Sequence, residues 1–322
     1  MFLTLAAIGL ASCNGGFKKG DNGLLYNIHI DKGGPKVKEG DFLLVNLTVK
    51  NDADSVLFST YDAGRPTPLL LPKPQAKGDV FEGMRLLAEG DSATIKISAD
   101  SIFKKAPKPP TFKGKFVIYD VKIEKVIPKG KMTDQEFQST VTQFMTAQNQ
   151  VLKNAEPAKI QKYIADNKLT LSKTDSGLYY IITKKGDGPL VTTGDTAVIN
   201  YTGSLLSNGK IFDTNIKADA VKGKVANVPR SYTPIRIPIG EHKVIAGWDQ
   251  GFLLLNKGAK ATFIIPSSLA YGEQGNGPIG PFTPIAFDVE LVDIVHAKLT
   301  GVNPATSAPT LPGIKAVKPA KK

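Results

Sequence analysis

Apolar and polar residues alternate through "PIAFDVELVD" (284–293), with Ile285, Phe287, Val289 and Leu291 on one side and Asp288 and Glu290 on the other. A two-residue period belongs to a strand with one buried face and one wet face. "KATFII" (260–265) repeats it with Ala261, Phe263 and Ile265. The period changes in "KVIAGWDQGFLLLNKG" (243–258). There Val244, Ile245, Trp248, Phe252 and Leu255 are spaced for one face of a short helix, and Asn256-Lys257-Gly258 supplies a stop. The pattern predicts an α+β arrangement in which an antiparallel sheet wraps on one short helix.

A longer helical stretch precedes these elements. Thr133-Asp134-Gln135-Glu136 is a capping-box pattern. Phe137, Val141, Phe144, Met145, Val151 and Leu152 follow at helical spacing. Pro157, after Asn154-Ala155-Glu156, predicts the start of a second, shorter helix with Ile160, Tyr163 and Ile164 inward. The apolar stripe either packs on adjacent domains or forms the seam of a homodimer.

The chain repeats itself. "GLLYNIHIDKGGP" (23–35) pairs with "GLYYIITKKGDGP" (177–189) at an offset of 154. "FLLVNLTVKNDADSVLFS" (42–59) pairs at the same offset with a stretch that includes "INYTGSLLSNGKIFD" (199–213). "EGMRLLAEGDSATIKIS" (82–98) pairs with "QGFLLLNKGAKATFIIP" (250–266) at an offset of 168. Two copies of one domain follow, and the second has a 14-residue insertion between Asp213 and Gly240. The expected organisation is a signal and tether (1–19), a first domain (20–128), a helical linker (129–172), a second domain (173–297) and a disordered Lys/Pro-rich tail (298–322).

Composition changes this picture little, except at the N-terminus. A formal charge of +12 raises nucleic acid as a partner. The lysines are scattered, however, and no arginine-rich stripe or interleaved aromatic platform is present, which argues for a solvated basic surface. The only cysteine, Cys13, ends the uncharged run "MFLTLAAIGLASC". That run is too short for a permanent membrane span and fits the apolar region of a secretory signal. It resembles a bacterial lipobox, which implies lipidation at Cys13 and a membrane-tethered envelope protein.

The usual catalytic constellations are missing. His29, His242 and His296 are isolated, no metal-ligand spacing occurs, and neither a P-loop nor a nucleophile elbow is present. No cofactor is called for. What remains is a set of aromatics and one carboxylate in the second copy: Tyr201, Phe212, Asp213, Trp248, Tyr271 and Phe287. The ordered series "YTG", "KIFD", "VIAGWDQG", "AYG" and "FDVEL" resembles the FKBP-type peptidyl-prolyl cis-trans isomerase family over about 173–297.

The resemblance implies two FKBP-like domains, the second with an apolar pocket for a substrate proline. Trp248 is its implied floor, and Tyr201, Phe212, Val244, Ile245 and Phe287 its walls. Ile235 stands at a wall position that is usually aromatic. Asp213 is implied to polarise or orient the site, Tyr271 to hydrogen-bond a substrate carbonyl, and Ile279 to overhang the pocket. Gly280 stands where a proline is common. The implied partners are proline-containing unfolded or nascent envelope proteins, with macrolide ligands of the family as further occupants. The first copy has Leu47 for Tyr201, Ser59 for Asp213 and Val80 for Trp248, while Phe58 and Tyr119 keep the places of Phe212 and Phe287. Loss of isomerase activity from the first copy is the expectation, with its basic, Pro-rich loop (104–115) left for protein contacts. The alternative is a non-catalytic chaperone or scaffold that uses both domains as binding surfaces.

Overall fold

A computed structural model describes residues 16–61, 64–103, 107–108, 112–226 and 230–297. Cys13 with its apolar run, and the tail from 298, lie outside the described residues, as do 104–106 and 109–111 of the Pro-rich loop.

The first half runs β1 (Lys18–Lys19), β2 (Leu25–Ile30), β3 (Phe42–Asn51), β4 (Val56–Ser59), β5 (Thr67–Leu70), α1 (Val80–Met84), β6 (Ser92–Ser98), α2 (Ala99–Ile102) and β7 (Phe116–Ile127). Helix α3 (Asp134–Asp166) follows. The second half runs β8 (Ser172–Lys173), β9 (Tyr179–Lys184), β10 (Asp187–Leu190), β11 (Thr196–Leu205), β12 (Ile211–Thr214), α4 (Lys217–Lys222), β13 (Ile235–Pro238), α5 (Ala246–Phe252), β14 (Asn256–Lys257), β15 (Lys260–Ile265) and β16 (Ile285–Val295).

The strands form two seven-stranded antiparallel sheets of one topology. One is ordered β1-β2-β6-β7-β3-β4 with β5 also on β3; the other is ordered β8-β9-β15-β16-β11-β12 with β13 also on β11. The repeat therefore extends to single residue pairs. Val49 faces Tyr119 across β3 and β7, and Gly203 faces Phe287 across β11 and β16. Each sheet carries a short helix pressed against it at a glycine. A Cβ at Gly83 would fall 2.8 Å from Ile95, and one at Gly251 would fall 2.7 Å from Phe263. Those two pairs stand at the same offset of 168, so both copies seat the helix the same way.

Helix α5 is shorter than the apolar spacing predicts. Val244 precedes it, Ile245 is its extended N-cap, and Leu253 already closes it. Val244 and Ile245 are thereby freed to line the adjoining cavity.

Helix α3 corrects the expectation of two helices, since it is a single element of 33 residues with Pro157 inside. Proline fixes φ at a helical value and removes only one backbone donor, at a cost of about 3 kcal/mol. Tertiary contacts on both sides offset that cost. Phe137, Val141, Phe144 and Met145 pack on Phe42 and Ile127 of the first sheet. Ile160, Tyr163 and Ile164 pack on Ile264 and Ala286 of the second. Between these ends Val151, read from sequence as part of the apolar stripe, is 62% exposed. The capping box is formed: the Thr133 hydroxyl accepts from Glu136 N, and Glu136 accepts from Thr133 N at 2.8 Å.

A second correction concerns β4. At a constant offset Phe58 matches Phe212 and takes a core position, yet Phe58 is 51% exposed. The pairing has slipped by one residue. Across β11 and β12, Thr202 faces Thr214 and Gly203 faces Asp213. Across β3 and β4, Thr48 faces Ser59 and Val49 faces Phe58. The residue that occupies the place of Asp213 is thus Phe58, and Ser59 occupies the place of Thr214. Hydrogen bonds to the next residue agree: Leu47 N donates to Thr60 Oγ1 at 2.9 Å, as Tyr201 N donates to Asn215 Oδ1 at 2.8 Å. A one-residue slip re-aims every side chain of an edge strand.

Candidate functional site

Strand β11 alternates strictly, so Ala197, Ile199, Tyr201, Gly203 and Leu205 face the core of the second sheet. Tyr201 lies at its centre and is almost fully buried. Its ring meets Trp248 of α5 at a centroid distance of 5.1 Å, and Trp248 meets Phe287 of β16 at 4.9 Å. Phe212 stands edge-on to Phe287 at 5.6 Å. These tilted and edge-to-face contacts are the arrangement aromatic quadrupoles favour. The absence of a side chain at residue 203 makes room for them. A Cβ at Gly203 would fall 2.5 Å from Phe287 and 2.7 Å from Phe212.

The β11–β12 register shifts between Gly203 and Ser204, so Phe212 and Asp213 together answer Gly203. A bulge of this kind re-aims neighbouring side chains. Here Phe212 joins the aromatic wall while the Asp213 carboxylate reaches the Tyr201 hydroxyl, which donates to it at 2.6 Å. Burial, with the adjacent carboxylate second, pushes the phenol up to about 12 despite the nearby guanidinium of Arg230. Tyr201 therefore remains a hydrogen-bond donor throughout the physiological range.

These residues line one cavity of about 720 Å³, and all ten pocket residues expected from the sequence lie around it. Trp248 and Phe287 sit beside Tyr201 and Phe212; Ile235, Val244 and Ile245 form another part of the wall; Ile279 and Tyr271 come from the segment after β15. No hydrogen bond engages the Tyr271 hydroxyl among the described residues. Among the described residues Trp248 Nε1 is buried without a hydrogen-bond partner, an unusual state that site residues tolerate.

Three supporting residues escaped the sequence reading. Arg230, from the insertion, forms an ion pair with Asp213 and donates to the Tyr201 hydroxyl at 3.2 Å. Its hydrogen bond to Asp213 raises its own pKa. Buried Asn215 donates to Ile199 O and Thr233 O, each at 3.0 Å, and so clips together the two flanks of the insertion. Buried Asp249 accepts from Gly240 N at 2.9 Å and His242 N at 3.2 Å, which fixes the loop before Val244. Asp249 lies inside the quoted "GWD" and Asn215 two residues beyond Asp213, so a signal was present for both. Arg230 had none, because the insertion has no counterpart in the first copy.

In the first copy the same places hold Leu47, Leu57, Phe58, Val80 and Tyr119. Val49 replaces Gly203 and packs with Tyr119 and Phe112. That filling and the missing phenol–carboxylate pair distinguish the two copies.

The cavity offers aromatic walls, a neutralised acid at its rim and a hydroxyl donor, with no nucleophile paired to a base. Among the described residues no cluster of three or more His, Cys, Asp or Glu is present.

Comparison with known proteins bears on this arrangement. The profile of the FKBP-type peptidyl-prolyl cis-trans isomerase family matches residues 188–292. FK506-binding protein 2 of Candida glabrata is 41% identical over 132 residues, which cover 39% of this chain and 85% of that protein. The probable FKBP-type isomerase FkpA of Neisseria meningitidis serogroup B is 37% identical over 174 residues, covering 51% of this chain and 58% of the relative. FkpA of Escherichia coli K12 is 31% identical over 196 residues, covering 56% and 64%. The chain thus spans about three fifths of the FkpA relatives it matches. The crystal structure of FkpA from Escherichia coli overlaps 52% of this chain and 75% of its own, at 30% identity and a TM-score of 0.38. On the profile match and the near-complete coverage of a 41% identical relative, the chain belongs to the FKBP-type peptidyl-prolyl cis-trans isomerase family.

Proposed function

We propose that the second domain is a peptidyl-prolyl cis-trans isomerase, and that it assists the folding of proline-containing polypeptides in a bacterial envelope. The observation that carries this reading is the convergence of Tyr201, Asp213, Trp248, Tyr271 and Phe287 on one aromatic cavity.

An X–Pro bond turns over a barrier of about 20 kcal/mol because rotation breaks amide resonance. The planar amide is more charge-separated than the twisted one. A dry aromatic cavity therefore penalises the planar ground state relative to the twisted state. In this reading the prolyl ring rests on Trp248 between Phe287 and Tyr201. The Tyr271 hydroxyl donates to a flanking carbonyl, and any preference for the twisted form lowers the barrier. Asp213, held by Tyr201 and Arg230, presents an oriented carboxylate at the rim without leaving an unpaired charge in the wall. Macrolide ligands of the family fit the same cavity as competitors.

The first domain serves as a non-catalytic partner, since Leu47, Phe58 and Val80 replace the phenol, the carboxylate and the indole. The lipobox-like sequence ending at Cys13 supports tethering to the membrane by lipid. The kinship with bacterial FkpA proteins supports a place in the envelope.

The test is cis–trans relaxation of a four-residue X–Pro peptide by the full chain, beside Asp213→Ala and Trp248→Leu. Acceleration by the wild type, reduced at least tenfold in both variants, is the expected outcome. A wild-type rate no greater than the uncatalysed one, or equal rates in all three proteins, overturns the reading.

A further inference from the structure

A second, larger concavity of about 1440 Å³ lies between the two domains and shares Pro278 with the aromatic cavity. Its first-domain wall is β4, which ends its sheet and so pairs on one side only. Val56, Leu57 and Phe58 on that strand are 57%, 53% and 51% exposed, and all three line the groove. Three consecutive exposed apolar residues on an edge strand are a feature that proteins ordinarily avoid. The residue slip in β4 accounts for Phe58, because it turns out to solvent the ring whose sequence counterpart, Phe212, folds against the aromatic wall.

The groove is also charged. Among the described residues, Arg65, Lys222 and Lys224 line it together with one carboxylate, Asp54, and Lys50 lies 3.7 Å from that carboxylate. Arg65 is half-buried, and among the described residues no side chain partners its guanidinium. Burial lowers its pKa. It lies across the interface against Gly280, where an added Cβ would collide with Arg65 Nε. Gly280 is the position at which the family resemblance leads one to expect proline. Here the smaller residue lets the guanidinium pack directly after Ile279, which lines the aromatic cavity. A partly dehydrated guanidinium is a ready hydrogen-bond donor to a carboxylate.

We propose that this groove binds the segment flanking the target proline, an extended apolar stretch that carries acidic residues. The segment lies along the free edge of β4, with a carboxylate on Arg65, while its X–Pro bond occupies the adjoining cavity. Addition of an extended peptide to an exposed sheet edge is an established mode of recognition, in which main-chain bonds give affinity and side-chain pockets give selectivity. The proposal deepens the isomerase reading and rests on it. It assigns the first domain a role in substrate selection and makes long acidic–apolar clients the preferred class.

The test compares two substrates on the full chain. One is a four-residue X–Pro peptide. The other is a fourteen-residue peptide with the same bond at its centre, flanked on both sides by apolar residues and two glutamates. The variants are Leu57→Asn with Phe58→Asn, and separately Arg65→Gln; the first pair changes exposed side chains and spares the fold. The expected result is a kcat/KM on the short peptide within twofold of wild type and at least a tenfold loss on the long one. Equal effects on the two substrates overturn the proposal. Fluorescence anisotropy of the labelled long peptide, read without turnover, separates this from failure of the isomerase reading. A tenfold weaker Kd in both variants supports the groove even if no rate is seen, and an unchanged Kd overturns it. Sedimentation is the last arm: a wild-type dimer that the variants dissociate makes the groove a subunit interface and also overturns the proposal.

Discussion

Glu156, buried in the middle of α3, accepts two hydrogen bonds from Ser267 in the second domain, from the backbone N at 2.5 Å and from the hydroxyl at 2.7 Å. Ser267 in turn accepts through its carbonyl from Ala270 N and Gly272 N, so the carboxylate anchors the turn that presents Tyr271. Helix and candidate site are thus joined by one side chain, immediately before the proline that the helix accommodates.

Glu156→Ala is expected to lower the stability of the second domain and the isomerase rate together. Hydrogen bonds to a charged acceptor contribute about 1.5–3 kcal/mol, and a domain of this size loses a few degrees in Tm for each kcal/mol. Thermal unfolding and peptide isomerisation on the same preparation check it. A full rate despite a lowered Tm refutes the link to Tyr271.

Titration of Tyr201 reads the Asp213–Arg230 pair directly. The phenol sits at about 12, held up by burial first and by Asp213 second, and opposed by Arg230. Removing the carboxylate in Asp213→Ala should bring the phenol down, whereas Arg230→Ala should send it higher. Ultraviolet titration of tyrosinate measures both. The raised value also places a stability term: it is fully present below pH 10, the ordinary tyrosine value, and is lost as pH rises through 12.

Gly203→Ala should damage the cavity more than the fold. The added methyl meets Phe287 and Phe212 at distances no packed pair tolerates, so the rings must shift. Overpacking of this kind costs about 1–3 kcal/mol. The expected outcome is a cooperatively folded protein with at least a tenfold loss of isomerisation; an unaltered rate contradicts it.

At the far end of β11, Asp195 is buried, and burial works to raise its pKa. Hydrogen bonds from Thr192, Ala297 and His296 outweigh that and hold it at about 2. A depressed carboxylate stabilises the fold above pH 3.8, its ordinary value, and the contribution disappears as pH falls through 2. Asp195→Asn should therefore lower Tm at neutral pH, with a gap from wild type that narrows between pH 4 and pH 2. A gap constant with pH counts against this assignment.

Much of this structure was legible in the residues. The two offsets fix the repeated sheet, because alternation and the glycine beneath each short helix are local and recur in order. The aromatic cavity was readable through the ordered motif series. Pro157 misled, since a helix breaker judged locally cannot register that Glu156 and Ile160 are anchored on another domain. Phe58 misled for a different reason. Strand identity is local, but the pairing register of an edge strand is decided by its partner, and a constant offset conceals a slip of one. Arg230 could not be placed at all, because its position depends on the path of an insertion that has no counterpart in the first copy.

That slip has a wider consequence. Both β4 and β12 are terminal strands, each held from one side only, so sliding either by one residue disturbs few bonds. The duplicated scaffold thereby contains a vernier at its margin: one setting points a carboxylate at a phenol, and the next points an aromatic ring at water. Divergence between the copies did not require a new core, only a different notch.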